Sequence, residues 1–186
     1  TYCIVPAVRG PSRSLEPTAS VEDARRLAEA GHPEIVIAGT HIGRWGRDLR
    51  PGRRLVDLIE ALLRGVPCVR LRLSSLDPHE VDEELLRLLQ DEPRLCRHLH
   101  LTLQHCDPQI LGRMGRRAPA GGFAELLSRI RRAVPGIGLG ADVIAGFPGE
   151  DRRTFDAMVG TLTEMSPTYL HAFGYSPRPG TPAASF

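Results

Sequence analysis

The chain has 186 residues, 41% hydrophobic and 25% charged, with a formal net charge of +2. That length buries a sizeable core within one domain, and the composition is that of an ordinary soluble globular protein. The near-neutral balance gives no case for electrostatic nucleic-acid binding by the chain as a whole. No stretch approaches the roughly 18–20 apolar residues of a membrane span, and no signal peptide is expected before the first elements. Four widely spaced cysteines, Cys3, Cys68, Cys96 and Cys106, fit a reducing, cytoplasmic setting better than a disulfide framework.

The first six residues, Thr1-Tyr2-Cys3-Ile4-Val5-Pro6, open without an initiator methionine, and the chain stops at Pro182–Phe186. Both ends therefore read as cuts, and residues 1–186 as one domain of a longer protein. A loop over Pro6–Ala19 precedes a helix whose N-cap is expected at Ser20 with Asp23 at N3. Val21, Ala24, Leu27 and Ala28 form its apolar face, and Gly31 its stop. Glu34–Gly39 reads as a buried strand, followed by a loop with Thr40, His41, Gly43, Trp45 and Gly46 and a helix carrying Leu55, Leu58, Ile59, Leu62 and Leu63. The unit then repeats: strand Val69–Ser74, helix Pro78–Gln90, strand His98–Gln104, and helical pieces in Pro108–Gly115 and Phe123–Val134. Strand Gly138–Ala145, helix Asp151–Met165 and strand Thr168–Tyr175 complete the chain.

Five strands alternating with helices predict βα crossovers and a parallel sheet. A doubly wound sheet would carry a Gly-rich phosphate fingerprint in its first βα turn, and none is present. Two strands alternate strictly, which puts Arg70, Arg72 and Ser74 on one face, and His98, His100, Thr102 and Gln104 on another. Helices cover the outside of a parallel sheet, so these rows must look into a lumen. Each buried polar group left unpaired costs about 1–3 kcal/mol; a polar ligand, water or a mutual hydrogen-bond network would each satisfy them.

Two segments carry chemistry. Tyr2-Cys3-Ile4-Val5-Pro6-Ala7-Val8-Arg9-Gly10 and Asp142-Val143-Ile144-Ala145-Gly146-Phe147-Pro148-Gly149-Glu150 together resemble the radical S-adenosylmethionine methylthiotransferases, which modify tRNA or a ribosomal protein. The resemblance runs over essentially the whole chain. It implies an α/β fold: a partial (β/α) TIM-like barrel of the radical SAM type, with the second to sixth barrel strands present and the first missing. It makes Cys3 the last ligand of a Cys-x-x-x-Cys-x-x-Cys motif holding a 4Fe-4S cluster, the other two cysteines lying upstream of Thr1.

S-adenosylmethionine would be contacted by Tyr2, by Gly39, Thr40 and His41 after one strand, by Gln104 at the end of another, and by Ile144 and Gly146. The implied reaction is methylthiolation of a modified adenosine. A reduced cluster cleaves S-adenosylmethionine, a second 4Fe-4S cluster in a missing N-terminal domain supplies sulfur, and an electron donor protein supplies electrons. A C-terminal RNA-binding domain is also expected outside the chain. The segments around Gly39, Arg70–Ser75, His98–Leu101, Arg113–Arg117 and Tyr175–Pro182 look most like the threonylcarbamoyladenosine tRNA branch; the isopentenyladenosine and ribosomal-protein branches share the core.

The chain departs from the family pattern at His105-Cys106, where Ser-Gly is usual, and at Thr102, Gly174 and Leu15. Two readings from other classes stand beside this one. One is a zinc-dependent hydrolase using His98 and His100 with Cys96, His105 or Cys106; the other is a non-enzymatic RNA-binding barrel.

Overall fold

The computed structural model describes residues 1–186. Six parallel strands form the inner layer: β1 (Glu34–Ile37), β2 (Arg70–Leu73), β3 (Ser75–Leu76), β4 (His98–Gln104), β5 (Gly138–Ala145) and β6 (Tyr169–Gly174). β1 pairs with β2, and the order across the rest is β3-β4-β5-β6. β2 and β3 are one strand interrupted at Ser74. Ser74 N–H still donates to Ile37 O at 3.0 Å, while Ser75 has already moved into register with His100. Expected as one strand over Val69–Ser74, this segment serves two neighbours in turn, which bends the sheet. β1 and β6 each pair on one side only, so the curved sheet is an open, partial barrel.

The helices are α1 (Val5–Arg9), α2 (Pro17–Glu29), α3 (Leu55–Gly65), α4 (Glu83–Asp91), α5 (Pro108–Met114), α6 (Gly122–Ala133) and α7 (Arg152–Met165). The apolar stripes of α2, α3, α4, α6 and α7 meet the outward residues of the strands. In α3, Leu55, Val56, Leu58, Ile59, Leu62 and Leu63 are all buried, facing a core that includes Leu71, Leu73, Leu99, Leu101, Leu139 and Val143. Truncating a fully buried member such as Ile59 to alanine removes about 2–5 kcal/mol. No helix is long and apolar enough to cross a membrane.

Local chemistry moved several boundaries. α2 starts at Pro17 rather than after a Ser20 cap, because proline at the first helical position is already set for the helix; Ser20 Oγ instead donates to Glu16 O. Gly31 takes φ +89° at the end of that helix, the left-handed stop expected of it. The segment Pro78–Gln90 splits in two. Asp77 caps a 3-10 turn over Pro78–Glu80, then Asp82 accepts from Leu85 N–H at 2.8 Å and starts α4 afresh. The loop after Pro6 holds the short α1, ended by Gly10 at φ +69°.

Candidate functional site

The inward residues of the strands build the lumen in two tiers. At the N-terminal tier the polar rows pair with one another, leaving the buried His98 Nδ1 without a partner. Glu34 accepts from Arg70 Nη2 at 2.6 Å, Arg72 Nε at 2.6 Å and Cys96 Sγ at 3.4 Å. The Arg72 guanidinium, then that of Arg70, hold the Glu34 carboxyl down at about 2. Beside them the Tyr169 hydroxyl joins His98 Nε2 at 2.7 Å and His100 Nδ1 at 3.0 Å. Burial pushes the Tyr169 phenol up and the His98 imidazole down.

Asp142 completes this tier. Its Oδ1 lies 2.7 Å from His100 Nε2 and 3.2 Å from His171 Nδ1. The ligand atoms of His100, Asp142 and His171 fall within 4.8 Å of one another, close enough to span a divalent ion. Each is nevertheless already paired within the network. Tyr169 and His171 were missed in the sequence, although the alternation Tyr169, His171, Phe173 carries the same period-two signal as the other strands.

The zinc set does not assemble. His98 and Cys96 lie at the start of β4, whereas His105 and Cys106 follow its end, about 20 Å along a seven-residue strand. Cys96 is committed to Glu34.

The second tier is the mouth at the C-terminal ends of the strands, where catalytic loops lie in barrels of this kind. Gly39, Thr40, His41, Gln104, Ile144 and Gly146 lie at or just after the C-terminal ends of their strands. Gly39, Thr40 and His41 are exposed in the loop leaving β1, and the His41 imidazole turns to the Glu80 carboxylate. Gln104 ends β4 at φ +68°, beside a register shift between Leu101 and Gln104. A non-glycine residue in this region costs on the order of 1–2 kcal/mol, a strain typical of a functional strand end. Ile144 is half-buried at the end of β5. Gly146 follows at φ +75° with open space where a side chain would stand, so a ligand can approach its backbone.

The two chemistry-bearing segments meet at this mouth. Ile110, Met114, Phe147 and Ala183 form a small apolar cluster on which Tyr2, Ile144 and Tyr175 pack. The Tyr2 ring sits edge-on to Phe147 at 6.2 Å, and Tyr175 to Phe147 at 5.0 Å, arrangements worth about 0.5–1.5 kcal/mol each. Thr1 is pinned from both sides, its Oγ1 donating to Arg113 O at 2.7 Å and its carbonyl accepting from Ala183 N–H at 3.2 Å. Burial pushes the Tyr2 phenol up against the opposing charge of Arg116. Cys3 is held next to this anchored pair, and its thiol is exposed.

Two of the departures from the family pattern, Thr102 and His105, make specific contacts. Thr102 Oγ1 donates to Leu76 O at 3.3 Å and accepts from Arg116 Nη2 at 3.2 Å; the same nitrogen reaches Asp77 at 2.5 Å. His105 is fully buried. Its Nδ1 accepts from Asp107 N–H at 2.9 Å, which leaves the ring proton on Nε2, 3.2 Å from Glu150 Oε2. That contact is too poorly aligned for a full hydrogen bond, and neither atom has another partner. Glu150 Oε1 in turn accepts from Gly146 N–H at 3.1 Å. His105 thus brings the turn after β4 into contact with the turn after β5 at Glu150. Burial pushes the His105 imidazole down and the Cys106 thiol up to about 12, which removes Cys106 as a ready thiolate ligand.

The residues present suit part of an iron–sulfur and nucleoside-cofactor site. They provide one exposed thiol at the mouth, a side-chain-free approach at Gly146, and the buried Ser74 Oγ with no partner on the lumen row. The chain offers one mouth thiol where a 4Fe-4S cluster of this type takes three.

Comparisons with known proteins agree with the fold. At 39% identity over 185 residues, the chain is similar to the threonylcarbamoyladenosine tRNA methylthiotransferase MtaB of Rickettsia prowazekii (strain Madrid E), covering 99% of this chain and 44% of that protein. The ribosomal protein uS12 methylthiotransferase RimO of Desulforudis audaxviator (strain MP104C) is also 39% identical, over 98% of this chain and 41% of its own. The chain thus spans less than half the length of these relatives. Among solved structures, the radical S-adenosylmethionine methyltransferase TsrM of Kitasatospora setae, with cobalamin and a [4Fe-4S] cluster bound, superposes with a TM-score of 0.70 at 20% identity. It covers 91% of this chain and 33% of its own. Coproporphyrinogen III oxidase (HemN) from Escherichia coli, a radical SAM enzyme, gives 0.67 at 16% identity over 90% and 38% of the two chains. With an open parallel barrel, both motif segments at its mouth, and residues 1–162 matching the profile of the Radical SAM superfamily, the chain belongs to the radical SAM superfamily.

Proposed function

We propose that this domain is the radical SAM core of a methylthiotransferase acting on a threonylcarbamoyl-modified adenosine of tRNA. The observation that carries the reading is the packing of the Cys3 segment onto the Asp142–Glu150 turn through Tyr2 and Phe147. Tyr2, next in sequence to Cys3, shares this apolar cluster with Ile144, which supports reading Cys3 and the β5 turn as parts of one site. Cys3 would contribute one thiolate to a 4Fe-4S cluster, whose other two cysteines belong to the residues upstream of Thr1. Tyr2, Gly39, Thr40, His41, Gln104, Ile144 and Gly146 would seat S-adenosylmethionine. When bound, the cluster and S-adenosylmethionine would supply the radical chemistry, and these residues would hold them.

The chain's own residues do the positioning. Gln104 and Gly146 present backbone at the cofactor's edge, and His105 with Glu150 keeps their two turns in register. Asp142, His100 and His171 give the floor beneath them a fixed hydrogen-bond pattern facing the substrate. The sulfur-donor domain with its second cluster, the RNA-binding domain, the electron donor and a cytoplasmic setting complete the proposal.

A second reading is methylthiolation of a ribosomal protein, favoured by the equal 39% identity to the uS12 enzyme. Both readings require Cys3. In the full-length protein Cys3→Ala should abolish the 4Fe-4S absorbance and the release of 5′-deoxyadenosine; retained release rejects both.

A further inference from the structure

We propose that the loop between β1 and α3 is a phosphate-contacting surface for RNA. Residues 44–54 contain five arginines, Arg44, Arg47, Arg50, Arg53 and Arg54, and one acid, Asp48. The loop therefore carries +4, and the rest of the chain −2 of the overall +2. A net charge that looks neutral hides a local concentration of cations.

Arg44, Arg47, Arg50 and Arg53 are exposed, and none has a carboxylate partner; only Arg54 is paired, with Glu84 at 2.6 Å. The one acid in the loop is occupied, Asp48 accepting from Ser14 Oγ at 2.5 Å and Ser14 N–H at 2.8 Å.

The loop is also rigidly built. Gly46 O accepts from Leu49 N–H at 3.1 Å and Arg53 N–H at 2.9 Å. Gly46 N–H donates to Ser14 Oγ at 2.8 Å, and Trp45 Nε1 to Leu15 O at 3.1 Å. Gly46 has φ +86°, and a side chain there would fall 2.7 Å from Arg53 O. Arg47, Arg53 and Arg54 share with His79 a shallow cavity of about 130 Å³. Its carboxylates look inward, Glu80 to His41 and to Asp77 N–H, and Asp82 to Leu85 N–H.

Guanidinium forks match phosphate oxygens in pairs. Four unpaired forks strung along an exposed loop suit a chain of phosphates better than one enclosed anion. The loop directly follows Gly39, Thr40 and His41, so a strand held on it would reach the barrel mouth. The choice of RNA among polyanions rests on the methylthiotransferase reading, and within that reading the surface favours tRNA over a protein substrate.

The test is fluorescence anisotropy of a labelled RNA hairpin against the 186-residue chain across a salt series. Arg47→Gln, Arg50→Gln and Arg53→Gln together should weaken binding at least tenfold and lower the slope of log affinity against log salt by about 2, at ~0.7 per single-strand phosphate. The triple lysine variant at the same positions should stay within threefold of wild type, which separates charge from folding. A matched triple at Arg26, Arg64 and Arg132, each to glutamine, should change binding less than twofold. Equal losses in the loop and matched variants, no salt-dependent RNA binding by the wild type, or loop-dependent binding of an acidic peptide in preference to RNA would each overturn the proposal. In the full-length protein, release of 5′-deoxyadenosine without RNA should be unchanged by the loop glutamines. If the wild type releases none while the RNA result stands, the methylthiotransferase reading falls and the surface remains.

Discussion

Replacing Glu34 by glutamine removes the anion on which the lower tier of the barrel is built. The carboxylate takes Arg70 Nη2 and Arg72 Nε at 2.6 Å each, Arg72 Nη2 at 3.2 Å and Cys96 Sγ at 3.4 Å. These contacts lower its carboxyl from 4.5 to about 2, which at face value is about 3 kcal/mol of preference for the ionised, folded form. Glu34 is 25% exposed and Arg70 62% exposed, so solvent screening reduces this to about 1–2 kcal/mol. Because the folded value is depressed, the stabilisation is complete above 4.5 and fades as pH falls toward 2. Urea unfolding followed by far-UV circular dichroism should show Glu34→Gln less stable by about 1–2 kcal/mol near pH 7, with the gap narrowing near pH 3. A gap that is absent, or that does not change with pH, would refute the charge-clamp argument.

Three further outcomes follow from the same packing. Gly140→Ala would place a Cβ 2.2 Å from Tyr169 Cζ and 2.6 Å from His100 Nδ1. It should cost about 1–3 kcal/mol in thermal unfolding as Tyr169 is driven off its two histidines. Ellman titration of the native chain near pH 8 should find Cys3 and Cys68 fast, Cys96 slow and Cys106 silent until unfolding, since only the first two are exposed and burial raises the others. His105, held neutral by burial, should make stability fall as pH drops below its ordinary 6.5. His105→Gln should flatten that fall between about pH 7.5 and 5.5, measured by chemical denaturation.

Much of the fold was legible because period-two and period-3.6 patterns are imposed by burial. The alternation in Arg70–Leu73 and His98–Gln104 located both the strands and the polar lumen. A mutual hydrogen-bond network was one of three possibilities for the polar rows, and pairing across strands supplies most of it in the lower tier, His98 Nδ1 excepted. Glu34 and Tyr169 belong to elements far apart in sequence, so no local pattern announces that they close on Arg72 and His100. The break at Ser74 depends on which neighbour each residue pairs with, which a single strand cannot reveal. The family motifs singled out Cys3, Ile144 and Gly146, of which Ile144 and Gly146 lie at the end of β5. The contact from His105 to Glu150 was visible only as a departure from pattern, because its partner lies 45 residues away. The basic loop was hidden by reading charge over the whole chain instead of by segment.

The central claim is methylthiolation by the protein that carries this domain. Mass spectrometry of nucleosides from total tRNA, with and without the intact gene product, tests it most directly. The 2-methylthio derivative of threonylcarbamoyladenosine should be present with the protein and absent without it, and Cys3→Ala should match the absence. An unchanged nucleoside profile, with the methylthio group appearing instead on a ribosomal protein or nowhere, would contradict it.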